Sequence, residues 1–239
     1  MDQKLSVELS LYKHNKKYLG SIDLSNVNVS NSSYETKFII ILDQSGSMGD
    51  SVPKIVNKII PKVLTNLSDQ TKATLITFSE ESAVYSGDKD YFSNLELTAY
   101  GCTYMSKALD QLNLIIDNLE YGSSLRILVI SDGELHDQEE AIELSSNIAE
   151  KVKGKLIINA QAIRYYTSLS AEPDTRGLSS ILQFNSINET PKLEDINHDV
   201  EVDVISDRIC EYFVKDGLEY SWPMVSPGTM VFCAHLFHW

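Results

Sequence analysis

Four nearly continuous apolar segments, rich in Ile, Leu and Val, recur along the middle of the chain. They are residues 37–42, 73–78, 125–130 and 155–163. Runs of this kind are typical of strands that are buried on both faces of a sheet. The hydrophobic pattern therefore predicts four central strands that have no solvent-facing side.

Segments with helical periodicity separate these apolar runs. Mostly apolar side chains recur there every three or four positions, at Ile55, Ile59, Val63 and Leu67, at Met105, Leu109, Leu112, Ile116 and Leu119, and at Ile142, Ser145, Ala149 and Val152. This spacing predicts amphipathic helices, and weaker patterns predict two more at about 203–214 and 178–182. Pro61 lies within the first helix, where it removes one hydrogen bond and is expected to cause a kink.

The alternation of buried strands with amphipathic helices predicts an α/β fold. Right-handed crossovers would build an open, mostly parallel, doubly wound sheet of the Rossmann-like type, with helices on both faces. Residues 82–87 follow the strand at 73–78 too closely for a helical crossover. We therefore expect them to form one antiparallel strand at an edge of the sheet.

The two ends of the chain have a different pattern. Residues 4–11 and 18–29 alternate apolar and polar positions, which predicts an N-terminal β-hairpin, and the Ser- and Asn-rich stretch from Asn26 to Ser33 is typical of a linker. The expected organisation is an extension with its linker at 1–34, a main domain at 35–215 and a C-terminal tail of uncertain structure at 216–239.

Composition and charge narrow the classes of function. A hydrophobic share of 43% and a charged share of 23% are ordinary for a folded domain, whereas a formal net charge of -14 disfavours binding to nucleic acid or to an anionic membrane surface. Neither a signal peptide nor a membrane-spanning run is visible in the sequence. Because Cys102, Cys210 and Cys233 make an odd count without C-x-x-C spacing, we expect a cytoplasmic protein.

Side chains that carry oxygen follow the predicted strands where these end. Asp43, Ser45 and Ser47 come directly after the first buried strand, Asp132 follows the strand at 125–130, and Thr103 precedes the helix that begins near Met105. Ligands of such sheets bind beyond the carboxyl ends of the strands, so these side chains are expected to meet there. Taken singly, Ser45, Ser47 and Thr103 also suit the roles of helix caps and turn formers.

This combination resembles the von Willebrand factor type A (vWA) family, whose metal-ion-dependent adhesion site (MIDAS) joins D-x-S-x-S to a threonine and a distant aspartate. The resemblance covers roughly residues 35–215. It implies that Ser45, Ser47 and Thr103 are hydroxyl ligands, direct or through water, and that Asp43 and Asp132 are carboxylates near the metal. The family often has Gly-Gly-Thr in the threonine loop, and here Cys102 takes the place of the second glycine.

The chemistry of these five side chains agrees with that resemblance. A set of hydroxyls and carboxylates suits Mg²⁺, Mn²⁺ or Ca²⁺, and Mg²⁺ typically keeps several waters, so that one coordination position can be exchanged. Neutral hydroxyls offset little of the cation's charge, and a Glu or Asp carboxylate of a protein partner would bind strongly there. The sequence predicts a cation-dependent protein-binding module.

Two other functions remain open from the sequence. In one, the metal activates water for hydrolysis, with His136 or Glu134 as the general base. In the other, the chain is a structural subunit, since intracellular members of the vWA family often serve ATPase- or ubiquitin-linked assemblies. The G-x-S-x-G, G-x-x-x-x-G-K-[ST] and H-E-x-x-H motifs are absent, which argues against an enzyme. Cys233, His235 and His238 could hold a soft metal, although packing of the tail explains them as well.

Overall fold

A computed structural model describes residues 6–14, 17–25, 36–67, 71–166, 174–186, 193–218 and 229–232. The chain forms two compact units, one of them Tyr34–Lys215 and the other made of Met1–Ser33 together with Asp216–Trp239. All five predicted site residues belong to the unit Tyr34–Lys215, which we call the larger unit.

The smaller unit contains an antiparallel sheet. Strands β1 (Ser6–His14) and β2 (Lys17–Ser25) form the hairpin that the alternating pattern predicted, with His14 paired to Lys17. A third strand at Thr229–Phe232 pairs with β2 and was not anticipated. The Asn26–Ser33 linker lies outside the described residues, as do Cys233, His235 and His238.

The larger unit is built on a six-stranded sheet. Its strands are β3 (Lys37–Asp43), β4 (Ala73–Phe78), β5 (Ser82–Gly87), β6 (Ser124–Ser131), β7 (Ile157–Tyr166) and β8 (Leu193–Asn197). They are arranged in the order β5-β4-β3-β6-β7-β8, and all neighbours are parallel except β5, which runs antiparallel to β4. The mostly parallel sheet with one antiparallel edge strand is confirmed.

Helices cover both faces of this sheet. They are α1 (Ser51–Lys54), a π-helical segment (Ile55–Ile59), α2 (Ile60–Leu67), α3 (Lys89–Ser93), α4 (Met105–Asp117), α5 (Gln138–Val152), α6 (Arg176–Ser179) and α7 (Val202–Leu218), with 3₁₀ turns at Gly46–Met48 and Ser180–Phe184. Among the described residues, no helix has both the length and the apolar character needed to cross a membrane.

The continuous apolar sequence of β3 explains the two-sided core. Ile40 and Leu42 pack with α1, α2, α3 and α7 on one face, while Ile39 and Ile41 pack with α4 and α5 on the other. All four side chains are at most 2% exposed. Burial of apolar surface on both faces fixes the strand at the centre of the sheet, and Asp43 is therefore held rigidly at its end.

The disturbance expected at Pro61 takes the form of a wide helical turn directly before it. The Ile60 amide donates to the carbonyl oxygen of Ile55, five residues back instead of four. Pro61 has no amide hydrogen to donate, so regular α-helical bonding cannot continue through it. The helical run from Ser51 to Leu67 nevertheless stays continuous.

Two elements of the larger unit were not predicted from the sequence. Strand β8 has only two apolar residues among its five and lies at the edge of the sheet, where a strand needs little apolar surface. Helix α3 is a single short turn with one buried residue, Phe92. Neither is long or apolar enough to stand out in a hydrophobic pattern.

Candidate metal centre

Asp43 and the two serines that follow it lie close together in one tight loop. Strand β3 ends at Asp43, whose side chain is 0% exposed. The Ser45 amide donates to Asp43 Oδ1 at 2.8 Å, and the hydroxyl oxygens of Ser45 and Ser47 are 3.0 Å apart. The loop thus brings the hydroxyl groups of Ser45 and Ser47 together, next to the carboxyl group of Asp43.

The threonine loop lies beside this Asp43 loop. The Gly46 amide donates to the carbonyl oxygen of Gly101 at 3.1 Å, and the Tyr100 amide donates to that of Gln44 at 2.8 Å. Gly101 has a φ of +70°, which favours glycine, and an added Cβ would lie 2.9 Å from Glu80 Cγ. Thr103 follows two residues later and is buried.

The Asp132 loop is tied to Asp43 by the last residue of β6. The Ser131 hydroxyl donates to Asp43 Oδ2 at 2.6 Å and accepts a bond from the Gly133 amide at 3.0 Å. Asp132 Oδ1 accepts from the Glu134 amide at 3.1 Å. Ser131 was not among the residues predicted for the site, although it immediately precedes one of them.

Further along, the Asp132 loop also holds the threonine loop, through the pair His136 and Asp137. The Thr103 amide donates to His136 Nδ1 at 3.1 Å, and the His136 amide donates to the carbonyl oxygen of Thr103 at 2.9 Å. Asp137 accepts from the amides of Met105 at 2.9 Å and Ser106 at 2.7 Å. It therefore caps α4, although it lies more than 30 positions away from the start of that helix in the sequence.

The three loops that carry the predicted ligands are thus joined to one another by hydrogen bonds. Asp43, Ser45 and Thr103 are buried, whereas Asp132 is half-buried and Ser47 is exposed. The group is therefore anchored in the protein on one side and open to solvent on the other. The assignment of these five side chains as metal ligands stays a prediction.

The electrostatics of this group favour a cation. Burial, followed by the negative charge of Asp132, raises the pKa of Asp43 to about 7 from 3.8, against the opposing effect of hydrogen bonds from Ser131 and Ser45. A nearby divalent cation would stabilise the charged form of Asp43.

The kinds of side-chain atoms in the candidate centre also indicate which metal could bind there. In the described part of the chain, no three His, Cys, Asp or Glu side chains cluster in a way that could hold a metal. The candidate centre has only two carboxylates, and its other three members are hydroxyls. A set of oxygens without nitrogen or sulfur suits a hard cation such as Mg²⁺ and not zinc.

The hydrolase alternative gains nothing from the position of His136. Its Nδ1 atom accepts a hydrogen bond from the Thr103 backbone, so this nitrogen is not free to take a proton from water.

Cys102, next to Thr103, is a half-buried free thiol.

Comparison with solved structures identifies the fold as that of vWA domains. A von Willebrand factor type A protein from Catenulispora acidiphila is 15% identical, with a TM-score of 0.53 over 87% of this chain. Manganese-loaded TRAP protein of Plasmodium vivax is 16% identical, with a TM-score of 0.51 over 89% of the chain. The pilus adhesin SpaC of Lactobacillus rhamnosus GG in its open conformation is 12% identical, with a TM-score of 0.54 over 88%.

The chain spans only part of the length of each of these three proteins. It spans 48% of the C. acidiphila chain, 76% of TRAP and 33% of SpaC. No protein-family model and no curated protein sequence matches the chain. The likeness at these identities concerns the fold.

Proposed function

We propose that the larger unit is a divalent-cation-dependent protein-binding module. In this proposal Asp43, Ser45, Ser47, Thr103 and Asp132 form a MIDAS that holds Mg²⁺, or Mn²⁺ or Ca²⁺, and through it a Glu or Asp carboxylate of a protein partner. The observation that supports it is the hydrogen-bonded association of the three loops at one end of the sheet.

The chain's own residues suit binding better than catalysis. Three of the five proposed ligands are neutral hydroxyls, so a bound cation would keep most of its charge for an incoming carboxylate. Ser47 is exposed and Asp132 half-buried, which leaves the open side of the group to the partner. His136, one of the two candidate bases, accepts a hydrogen bond from the backbone of Thr103.

Two proteins of the same fold guide the choice of ions and assay. TRAP is described as manganese-loaded and SpaC as a pilus adhesin, which are statements about those proteins. For this chain they make Mn²⁺ a useful second ion beside Mg²⁺, and they make adhesion to another protein the first activity to assay.

Thermal denaturation tests the cation site. A cation at one hundred times its Kd stabilises the folded state by about 2.7 kcal/mol, which corresponds to a rise in Tm of roughly 5–11 °C for a domain of this size. We expect this rise with Mg²⁺ or Mn²⁺ in the wild type and its loss in Asp43→Ala. If Mg²⁺, Mn²⁺ and Ca²⁺ all leave the wild-type Tm unchanged, the proposal is wrong.

Affinity capture tests the partner's chemistry. Proteins retained from a native lysate in Mg²⁺ should be released by EDTA and should not be retained by Asp43→Ala. Blocking the carboxyl groups of the captured partner by amidation should abolish rebinding, because the cation then has no anionic ligand to accept. Rebinding of the amidated partner would contradict a carboxylate ligand.

A further inference from the structure

We propose that His136 and Asp137 are positioning residues that set Thr103 at a fixed distance from Asp132, and so control the affinity of the cation site. This inference builds on the proposed function. The five proposed ligands come from three loops, and a site assembled from separate loops binds a cation only as well as those loops are held together.

Four hydrogen bonds carry the inference. His136 Nδ1 accepts a hydrogen bond from the Thr103 amide, and the His136 amide donates to the Thr103 carbonyl oxygen. Both backbone polar groups of Thr103 are therefore bonded to one residue. The Asp137 carboxylate accepts hydrogen bonds from the amides of Met105 and Ser106, which lie in the same segment as Thr103, residues 103–106. We call residues 103–106 the threonine segment, and His136 and Asp137 the clamp.

The clamp acts across the fold, because its partners lie 31 to 33 positions away in sequence. Asp137 immediately precedes α5, yet its side chain makes no capping bond to that helix. Both carboxylate oxygens of Asp137 instead accept hydrogen bonds from the first amides of α4, and the N-terminus of a helix attracts negative charge. A rotation of the Thr103 backbone would break its two hydrogen bonds to His136, in the loop that carries Asp132.

The threonine segment is also held from its other side. The Tyr104 amide donates to the carbonyl oxygen of Ser79 at 3.0 Å, directly after β4. Thr103 therefore lies between a fixed strand end and the clamp. Mg²⁺ demands nearly ideal octahedral geometry at about 2.0–2.1 Å, so small shifts of a ligand loop reduce its affinity. Residues that orient metal ligands typically change affinity by roughly 10–100-fold when they are removed.

Asp88 provides a matched control at the other end of the sheet. Its carboxylate also accepts two backbone amides, those of Asp90 at 3.1 Å and Tyr91 at 3.0 Å. It caps α3, its own helix, and follows Gly87, which pairs with the first residue of β4. Removing this cap takes away the same kind of bond without touching the loops of the site.

The experiment compares Mg²⁺ affinity, measured by calorimetry, with Tm in EDTA for Asp137→Ala, His136→Ala, His136→Asn and Asp88→Ala. Asp137→Ala and His136→Ala should weaken Mg²⁺ binding by roughly 10-fold or more, while Asp88→Ala leaves it unchanged. Asn at position 136 keeps an acceptor near the place of Nδ1 and should restore most of the affinity. Equal affinity in Asp137→Ala and Asp88→Ala would overturn the inference.

A second measurement separates this inference from the proposed function. Absence of Mg²⁺, Mn²⁺ or Ca²⁺ binding by the wild type would refute the proposed function, and amide hydrogen exchange in EDTA would then decide on the clamp. Asp137→Ala should accelerate exchange together in residues 103–106 and 132–136, and Asp88→Ala in neither. Exchange that is unchanged in these segments, or accelerated in only one of them, would show that the clamp does not couple the two loops.

Discussion

Two aspartates cap helices in the larger unit, at opposite ends of the same sheet. At the end where the parallel strands begin, Asp88 binds two amides two and three positions further along the chain. At the end where they finish, Asp137 binds two amides of a helix that begins 32 positions earlier. Each carboxylate accepts two backbone amides, but only Asp137 thereby connects separate segments of the chain.

This difference teaches which bonds stabilise an element and which ones arrange a site. A local cap such as Asp88 satisfies the first turn of its own helix and affects little else. A distant cap such as Asp137 also fixes the position of one loop against another. Two hydroxyl bonds between neighbouring strands differ in burial: the bond from Ser131 to Asp43 joins β6 to β3 and is buried, whereas the bond between Thr74 and Ser86 joins β4 to β5 and is exposed.

The largest expected effect concerns the buried carboxyl group of Asp43, at the end of the sheet where the parallel strands finish. Burial and Asp132 raise the pKa of Asp43 from 3.8 to about 7. A carboxyl with a raised pKa contributes stability below about pH 4, and this contribution is lost as the pH rises through 7. In EDTA, the free energy of unfolding of Asp43→Asn should therefore rise relative to that of the wild type by up to about 4 kcal/mol between pH 4 and pH 8, at 1.36 kcal/mol per pKa unit. The hydrogen bond that the Asn amide nitrogen cannot accept adds a cost that does not change with pH.

Urea denaturation at several pH values checks this prediction. The free energy of unfolding of Asp43→Asn relative to the wild type should fall as the pH falls from 8 and become constant below about pH 4, while the same variant should lose the rise in Tm that cations cause. Asp88→Asn, which removes a charge at the opposite end, should show no such gain. A difference between Asp43→Asn and the wild type that stays constant from pH 4 to pH 8 would mean that the pKa of Asp43 is not raised.

A smaller effect is expected from the hydroxyl that links two loops of the site. Ser131→Ala leaves both Asp43 Oδ2 and the Gly133 amide without their partner, in a place that is 0% exposed. Leaving buried polar groups unpaired should lower the free energy of unfolding by about 2–3 kcal/mol. Ser86→Ala removes an exposed hydroxyl pair and should change it by less than about 0.5 kcal/mol. Similar values for the two variants would remove the distinction between the ends of the sheet.

The sequence was sufficient for the central sheet because its evidence lies in each strand's own composition. Continuous apolar runs identified β3, β4, β6 and β7, and the short connection identified β5 as antiparallel. Strand β8 was missed because its partner β7, not its own side chains, determines its place. Short apolar runs are informative only where both faces of a strand are buried.

In the candidate site too, some features could be predicted from their own residues, whereas others depend on a distant partner. The spacing of Asp43, Ser45 and Ser47 can be seen in the sequence, and so can the strand that ends before Asp132 and the helix that begins after Thr103. The clamp could not be seen, since Asp137 stands in the N-cap position of α5, where the usual interpretation is a local cap. Only the three-dimensional structure reveals that its carboxylate binds α4 instead.

The smallest effects should come from two glycines that have nearly the same positive φ. Gly101 has a φ of +70° in the threonine loop, and Gly154 has a φ of +69° between α5 and β7, at the opposite end of the sheet. Alanine at either position should lower the free energy of unfolding by about 1 kcal/mol, because a side chain is disfavoured in the left-handed region. A Cβ meets nothing within 4 Å at Gly154, but lies 2.9 Å from Glu80 Cγ at Gly101.

The two glycine variants should therefore differ in cation affinity more than in stability. Gly101→Ala must shift either Glu80 or the loop whose carbonyl oxygen accepts the Gly46 amide, and a shifted loop changes the geometry around Ser45 and Thr103. Calorimetry should record weaker Mg²⁺ binding for Gly101→Ala and an unchanged Kd for Gly154→Ala. If both variants bind Mg²⁺ as the wild type does, Glu80 alone has moved, and the contact between the Asp43 and threonine loops does not limit the affinity.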